Sequence, residues 1–219
     1  MMIKEIEAAG LGRMEESPMK FTNGCWLSQE GVHCFSPAHV YSADVNESRV
    51  RLCCPTQRIV SRGDTLGGVN LTIEITAPMA GMLRVRMVHH AGVKEKGPAF
   101  ELNLPEAAPL CAQQTDDRII VHSGELRVEI LRENAQMTFW HGERKLTASQ
   151  PGDPAYVKTG WTGMAYDHGP DNAWMRGQLD LSVNELIYGL GERFGAYVKN
   201  GQTVDMWNAD GGTASELAY

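Results

Sequence analysis

After residue 19, apolar and polar side chains alternate along most of the chain. The period is two and β-branched residues are frequent, the pattern of half-buried strands. Trp26-Leu27 and Val32-His33-Cys34-Phe35 flank a Gln29-Glu30-Gly31 turn, and residues 40–45 and Val50-Arg51-Leu52-Cys53 flank Asn46-Glu47-Ser48. Residues 69–75 alternate apolar with polar, and 82–88 repeat the pattern after a turn at 78–81. A second group starts with 118–121, which leads through His122-Ser123-Gly124 into 126–131. Asn134-Ala135 then turns into Met137-Thr138-Phe139-Trp140, and His141-Gly142-Glu143 into Arg144-Lys145-Leu146. Short turns between such runs predict an antiparallel meander. Residues 92–98 and 105–109 read as Gly- and Pro-rich loops, and Pro151-Gly152-Asp153-Pro154 interrupts the pattern before strands near Tyr156, at 163–166 and at 174–181. Many short, evenly spaced strands without a long helix, an internal repeat or a low-complexity tract predict an all-β sandwich or barrel.

Composition narrows the partners. A chain of 219 residues suits one large all-β domain, and a domain of this size buries roughly 70% of its unfolded surface without needing covalent staples. The formal charge is 20 − 27 = −7 with no Lys/Arg cluster, so neither nucleic acid nor an anionic membrane is an expected partner. A neutral, hydroxyl-rich ligand is compatible with this surface. The five cysteines lack CxxC spacing. Neighbouring Cys53 and Cys54 alternate to opposite faces of a strand, and the set reads as reduced core thiols of a cytoplasmic protein. Residues 1–18 carry Lys4, Glu5, Glu7, Arg13, Glu15 and Glu16 and no apolar h-region, so they are read as a disordered or short helical extension and not as a signal peptide. No apolar run approaches the roughly 18 residues of a membrane span.

Three glycine-punctuated blocks close the sequence: Tyr188-Gly189-Leu190-Gly191-Glu192-Arg193-Phe194, then Lys199-Asn200-Gly201-Gln202-Thr203-Val204, then Trp207-Asn208-Ala209-Asp210-Gly211-Gly212-Thr213. Together with Met19-Lys20-Phe21-Thr22-Asn23-Gly24-Cys25-Trp26-Leu27 and the turn Gly142-Glu143-Arg144-Lys145-Leu146-Thr147, they resemble the N-terminal β-sandwich of glycoside hydrolase family 31. The last two blocks are most similar to its bacterial α-xylosidases. The resemblance covers roughly residues 19–219. It implies an antiparallel two-sheet sandwich similar to galactose mutarotase over 19–187. It also implies that 188–219 form the end of the sandwich and a loop toward a catalytic barrel of the same polypeptide. The implied activity of the intact enzyme is retaining hydrolysis of α-linked xylose from xylosyl-oligosaccharides, in an assembly that is commonly a homo-oligomer.

Retaining glycoside hydrolysis uses two carboxyl groups about 5–5.5 Å apart. In family 31 both belong to the barrel, so no catalytic residue is assigned here and this chain alone is expected to be inactive. The resemblance places Asp210 against sugar, with Trp207 and Asn208 fixing its loop. An Asp carboxylate accepts hydrogen bonds from vicinal hydroxyls, and a Trp covers the apolar face of a pyranose. From the residues alone, Trp207 equally suits a buried anchor between domains and Asp210 an Asx cap before Gly211-Gly212. Position 209 is Ala where relatives often carry a polar residue. Gly189-Leu190-Gly191 lacks the third glycine, the βαβ unit and the acidic partner of a dinucleotide site, so it reads as a strand end and turn, with Glu192 and Arg193 bonding across the junction. Asp116-Asp117 reads as a solvated turn. The seven scattered histidines give no metal constellation, and no cofactor is implied. The alternatives are the corresponding domain of a family 31 α-glucosidase, a stand-alone carbohydrate-binding module, and a mutarotase-like epimerase, which requires a His and a Glu in one cleft.

Overall fold

The computed structural model describes residues 27–89, 100, 101, 103, 106–159, 173–191, 195–202 and 204. Among these residues twelve strands follow one another: β1 (Val32–Phe35), β2 (Ser42–Val45), β3 (Val50–Pro55), β4 (Asn70–Thr76), β5 (Arg84–Val88), β6 (Cys111–Gln114), β7 (Arg118–Ser123), β8 (Leu126–Leu131), β9 (Met137–His141), β10 (Arg144–Ala148), β11 (Ala155–Thr159) and β12 (Ala173–Arg176). All strand pairs are antiparallel. A four-stranded sheet runs β2-β3-β4-β5 and a five-stranded sheet runs β10-β9-β8-β7-β6. A small third sheet, β1-β11-β12, accompanies them.

Period-two alternation decides which face is buried, because successive side chains point to opposite sides of a strand. In β4, Leu71, Ile73 and Ile75 are fully buried while the residues between them are half-buried. They lie in register with Cys54, Leu52 and Val50 of β3. In the other sheet Ile119 and Val121 of β7 pair with Ile130 and Val128 of β8. These residues belong to one hydrophobic cluster, so the two larger sheets face each other across a common core, as in a sandwich. Fully burying each Leu, Ile or Val side chain is worth about 1.5–3 kcal/mol. The expectation of core thiols holds, among the described cysteines, for Cys54 alone, which belongs to the cluster; Cys34 and Cys53 are half-buried and Cys111 is exposed on edge strand β6. Burial pushes the Cys54 thiol up to about 12, with Cys53 adding to the shift, so Cys54 behaves as a small hydrophobe.

The connections follow local chemistry. Asn46 Oδ1 accepts the amides of Ser48 and Arg49, both at 3.0 Å, and closes the β2–β3 turn. Asp64 Oδ2 accepts the amides of Val60 and Ser61 at 2.9 and 2.6 Å, organising a short 3-10 turn (Arg62–Thr65) in the β3–β4 connection. Asp117 lies in a solvated turn as expected: Thr115 Oγ1 donates to its Oδ1 at 2.6 Å and Arg118 Nε to its Oδ2 at 2.9 Å, both holding its carboxyl below the usual range. Ala135, in the β8–β9 turn, has a φ of 58° although it is not glycine. Its methyl group is buried in the core cluster, so packing offsets a conformation that a β-carbon disfavours.

Three expectations need correction. Residues 174–181 do not form one strand: β12 ends at Arg176, and residues 177–180 run beside 147–150 instead. Gln150 donates to the Gln178 carbonyl at 3.2 Å, Asp180 to that of Ala148 at 2.9 Å, and Leu179 bridges Ser149. The break falls at Gly177, where a β-carbon would approach the Met87 methyl to 3.2 Å. Polar Cys111–Gln114, unassigned from sequence, forms edge strand β6. The strand expected over 40–45 begins at Ser42, because the Val40 amide bonds to Arg132 at 2.7 Å outside the β2–β3 ladder. The expected loop at 92–98, strand at 163–166 and disordered or helical extension at 1–18 lie outside the described residues.

Residues 31–181 form one compact unit, and residues 1–30 with 182–219 form a second. No helix among the described residues is long and apolar enough to cross a membrane.

Candidate functional site

The three sugar-contact candidates, Trp207, Asn208 and Asp210, lie outside the described residues, as do Glu192 and Arg193. Before the Trp207–Asp210 block, residues 182–191, 195–202 and 204 are described, and side-chain hydrogen bonds organise them. They open with a tight turn in which the Glu185 amide donates to the Ser182 carbonyl at 3.0 Å and the Ser182 amide donates to Glu185 Oε2 at 2.8 Å. Asn184 carries the turn at φ 66°, a left-handed conformation that Asn tolerates better than most residues.

Asn200 is the central clamp. Its Oδ1 accepts the Ile187 amide at 2.8 Å, and its Nδ2 donates to the Glu185 carbonyl at 2.9 Å. The preceding Lys199 amide donates to the Ile187 carbonyl at 2.8 Å. One amide side chain thus holds two stretches of backbone thirteen and fifteen positions away, using its acceptor and its donor together. Gly201 follows at φ 73°, and Gln202 folds back, donating its amide to the Lys199 carbonyl at 3.1 Å and its Nε2 to that of Val198 at 2.7 Å. Lys199 is buried and its Nζ donates to the Ala196 carbonyl at 2.7 Å. The Asn-Gly-Gln core of the second terminal block is therefore a scaffold. Sequence reasoning gave Asn200 no role, yet Asn-Gly is itself a turn signal and could have drawn attention to it.

Gly189, Leu190 and Gly191 have φ values of 92°, 68° and 88°. A β-carbon at either glycine meets nothing within 4 Å, so these glycines answer to backbone conformation and not to the close approach of a phosphate. The turn of the sequence reading is there, but no strand ends at it: the last described strand, β12, ends at Arg176. Leu190 holds a conformation that costs an L-residue roughly 1–2 kcal/mol. Beside this turn Tyr188 and Tyr197 stack with centroids 5.1 Å apart at 51°, and both are exposed, at 50% and 81%.

The 31–181 unit supplies two further arrangements with chemical content. His141 Nε2 and Glu125 Oε2 lie 3.2 Å apart at hairpin ends, but the two side chains are 56% and 77% exposed. An open pair of this kind does not enclose a sugar as acid–base epimerisation requires. Asp153, the buried carboxylate among the described residues, is 1% exposed and receives Arg176 Nε on Oδ1 at 2.9 Å. The same guanidinium donates to Cys34 Sγ at 3.2 Å and to the Gly152 carbonyl at 3.3 Å. Burial raises the Asp153 carboxyl above its ordinary value, and Arg176 opposes that rise. Sequence reading took 151–154 only as a break, because nothing local reveals that Arg176 returns to it. Among the described residues no three His, Cys, Asp or Glu side chains converge as metal ligands.

Residues 72–219 match the glycosyl hydrolase 31 N-terminal galactose mutarotase-like domain. The chain belongs to that family. Two curated α-xylosidases are similar to it over 92% of its length: XylQ of Lactiplantibacillus pentosus at 38% identity and an enzyme of Emericella nidulans at 37%. The aligned regions cover 25% and 27% of those two proteins, so the chain spans about a quarter of their length. Solved structures share the fold at low identity. A Flavobacterium johnsoniae family 31 dextranase aligns with a TM-score of 0.55 and 12% identity, over 80% of this chain and 19% of its own. The cycloalternan-forming enzyme of Listeria monocytogenes aligns at 0.54 and 15%, over 78% and 14%.

Proposed function

We propose that this family 31 domain is the non-catalytic N-terminal part of a retaining α-xylosidase that releases α-linked xylose from xylosyl-oligosaccharides. The observation that carries this reading is the pair of α-xylosidase relatives, one bacterial and one fungal, each similar over 92% of the chain. Similarity of that extent at 37–38% identity distinguishes the reading from the dextranase and cycloalternan-forming likenesses, which carry the fold alone at 12–15%.

The domain has two roles in this account. The sandwich braces a catalytic barrel, which supplies both carboxyl groups of the double displacement. The 182–204 scaffold fixes the start of a loop whose Asp210 accepts hydrogen bonds from substrate hydroxyls, with Trp207 and Asn208 holding it in place. Pre-organising such a loop matters because ordering it on binding would subtract from affinity. The free thiols Cys34, Cys53, Cys54 and Cys111 support a reducing, cytoplasmic setting.

The test is made on the complete gene product. Asp210→Ala is expected to lower kcat/KM for a xylosyl-oligosaccharide by about 100-fold, the scale of a lost hydrogen bond to a charged group, with the melting temperature unchanged. A complete product that releases glucose from α-glucosides in preference to xylose would replace the α-xylosidase reading with the α-glucosidase one.

A further inference from the structure

A cavity of about 280 Å³ opens beside the buried Asp153–Arg176 pair, at one flank of the sandwich core. Its lining includes Val85 and Met87 of β5, Met137 and Phe139 of β9, and residues 177–179. Asp153 lines the cavity, and its two oxygens differ. Oδ1 is engaged by Arg176, whereas Oδ2 is buried without a hydrogen-bond partner. A buried acceptor left unpaired is costly, and native proteins fill such positions with a protein donor, a water or a ligand. No donor among the described residues reaches this one.

The surroundings specify what would fit. Arg176 already balances the carboxylate charge, its other nitrogens being directed at Cys34 and Gly152, so a second cation gains little and a neutral donor is favoured. The walls are mainly aliphatic, thioether and aromatic, which suits an apolar body over a polyol. An apolar cavity of roughly 150 Å³ already admits a benzene-sized ring, so this volume admits one substituted ring. We propose that this cavity is a binding site for a small neutral amphiphile of the phenol or cyclic-alcohol class, its hydroxyl donating to Asp153 Oδ2 and its ring lying between Phe139 and the β5 side chains. This site is separate from the loop around Asp210 and does not rest on the α-xylosidase reading, so either can fail without the other.

The probes are 4-fluorophenol and 4-fluorotoluene, matched in size and differing in the hydroxyl donor, titrated into the 219-residue chain and followed by their fluorine resonances. The phenol is expected to saturate and to bind about tenfold more tightly than the toluene, as one hydrogen bond to a charged acceptor implies. Asp153→Ala would strand Arg176 and endanger the fold, so the site is located with Gly177→Leu, whose β-carbon meets only the Met87 methyl and leaves the ion pair intact. That variant is expected to lose phenol binding with its cooperative melting retained. If Gly177→Leu does not fold, Leu179→Trp fills the same cavity from its other lining residue. Absence of saturation up to the solubility limit, equal affinity for the two probes, or undiminished binding in a folded cavity-filling variant would each overturn the proposal.

Discussion

The 31–181 unit and the 182–204 segment are held together in different ways. In the first, alternation puts Leu52, Ile73, Ile119 and Ile130 into one core, and most turns need only a left-handed residue or an Asx side chain. In the second, few apolar side chains are buried, and Asn200, Lys199 and Gln202 bond to backbone while three successive residues adopt left-handed φ. Burial is roughly additive in area and tolerant of shape, whereas a clamp made by one amide fails when that amide is removed. The contrast teaches that the sheets supply stability, and the segment leading to Asp210 supplies position.

The largest effect expected is in the core. Ile73→Ala should cost about 2–5 kcal/mol in urea unfolding, because it removes buried methylenes and leaves a cavity. A loss under 1 kcal/mol would show that the sheets are not the source of stability. Next comes Arg176→Leu, expected to cost about 3 kcal/mol near neutral pH by leaving Asp153 buried and unpaired. Its deficit should depend on pH. Burial raises the folded-state value of Asp153 above its ordinary 3.8. A carboxyl raised in the folded state favours folding below its unfolded value and loses that contribution as pH rises through the folded one. Removing the opposing guanidinium widens this window, so the deficit should shrink as pH falls toward 4. A deficit flat between pH 4 and 7 would contradict the burial assigned to Asp153.

Asn200→Ala sharpens the comparison from the other side. Loss of its two hydrogen bonds should cost about 1–2 kcal/mol locally, read as faster amide exchange at Ile187, while the cooperative unfolding of the sheets barely moves. Equal losses in both regions would merge the two regimes into one. The smallest effect is a gain: Leu190→Gly should relieve left-handed strain, partly offset by unfolded-state entropy, for about 0.5 kcal/mol.

Legibility in the sequence followed the same division. Strands with a strict two-residue rhythm, such as β4 and β7, were readable because burial imposes that rhythm directly. Edge strand β6 was not, since an exposed edge places little demand on hydrophobicity and Gln113-Gln114 look like loop. The end of β12 was hidden because Gly177 abuts Met87, a neighbour 90 positions away in the chain. The bond between Arg176 and Asp153 is likewise a product of topology, as β12 lies next to β11. In the terminal blocks the family was legible from spacing and glycine placement. The work of Asn200 was not, because an Asn-Gly pair announces a turn without naming the amides it will hold.

The central claim is that this domain supports a glycosidase and does not itself cleave the glycosidic bond. The most direct measurement incubates the purified 219-residue chain with 4-nitrophenyl α-D-xyloside and follows nitrophenolate release. No release above buffer is expected. Turnover that scales with the amount of chain, and that persists through further purification, would contradict the account.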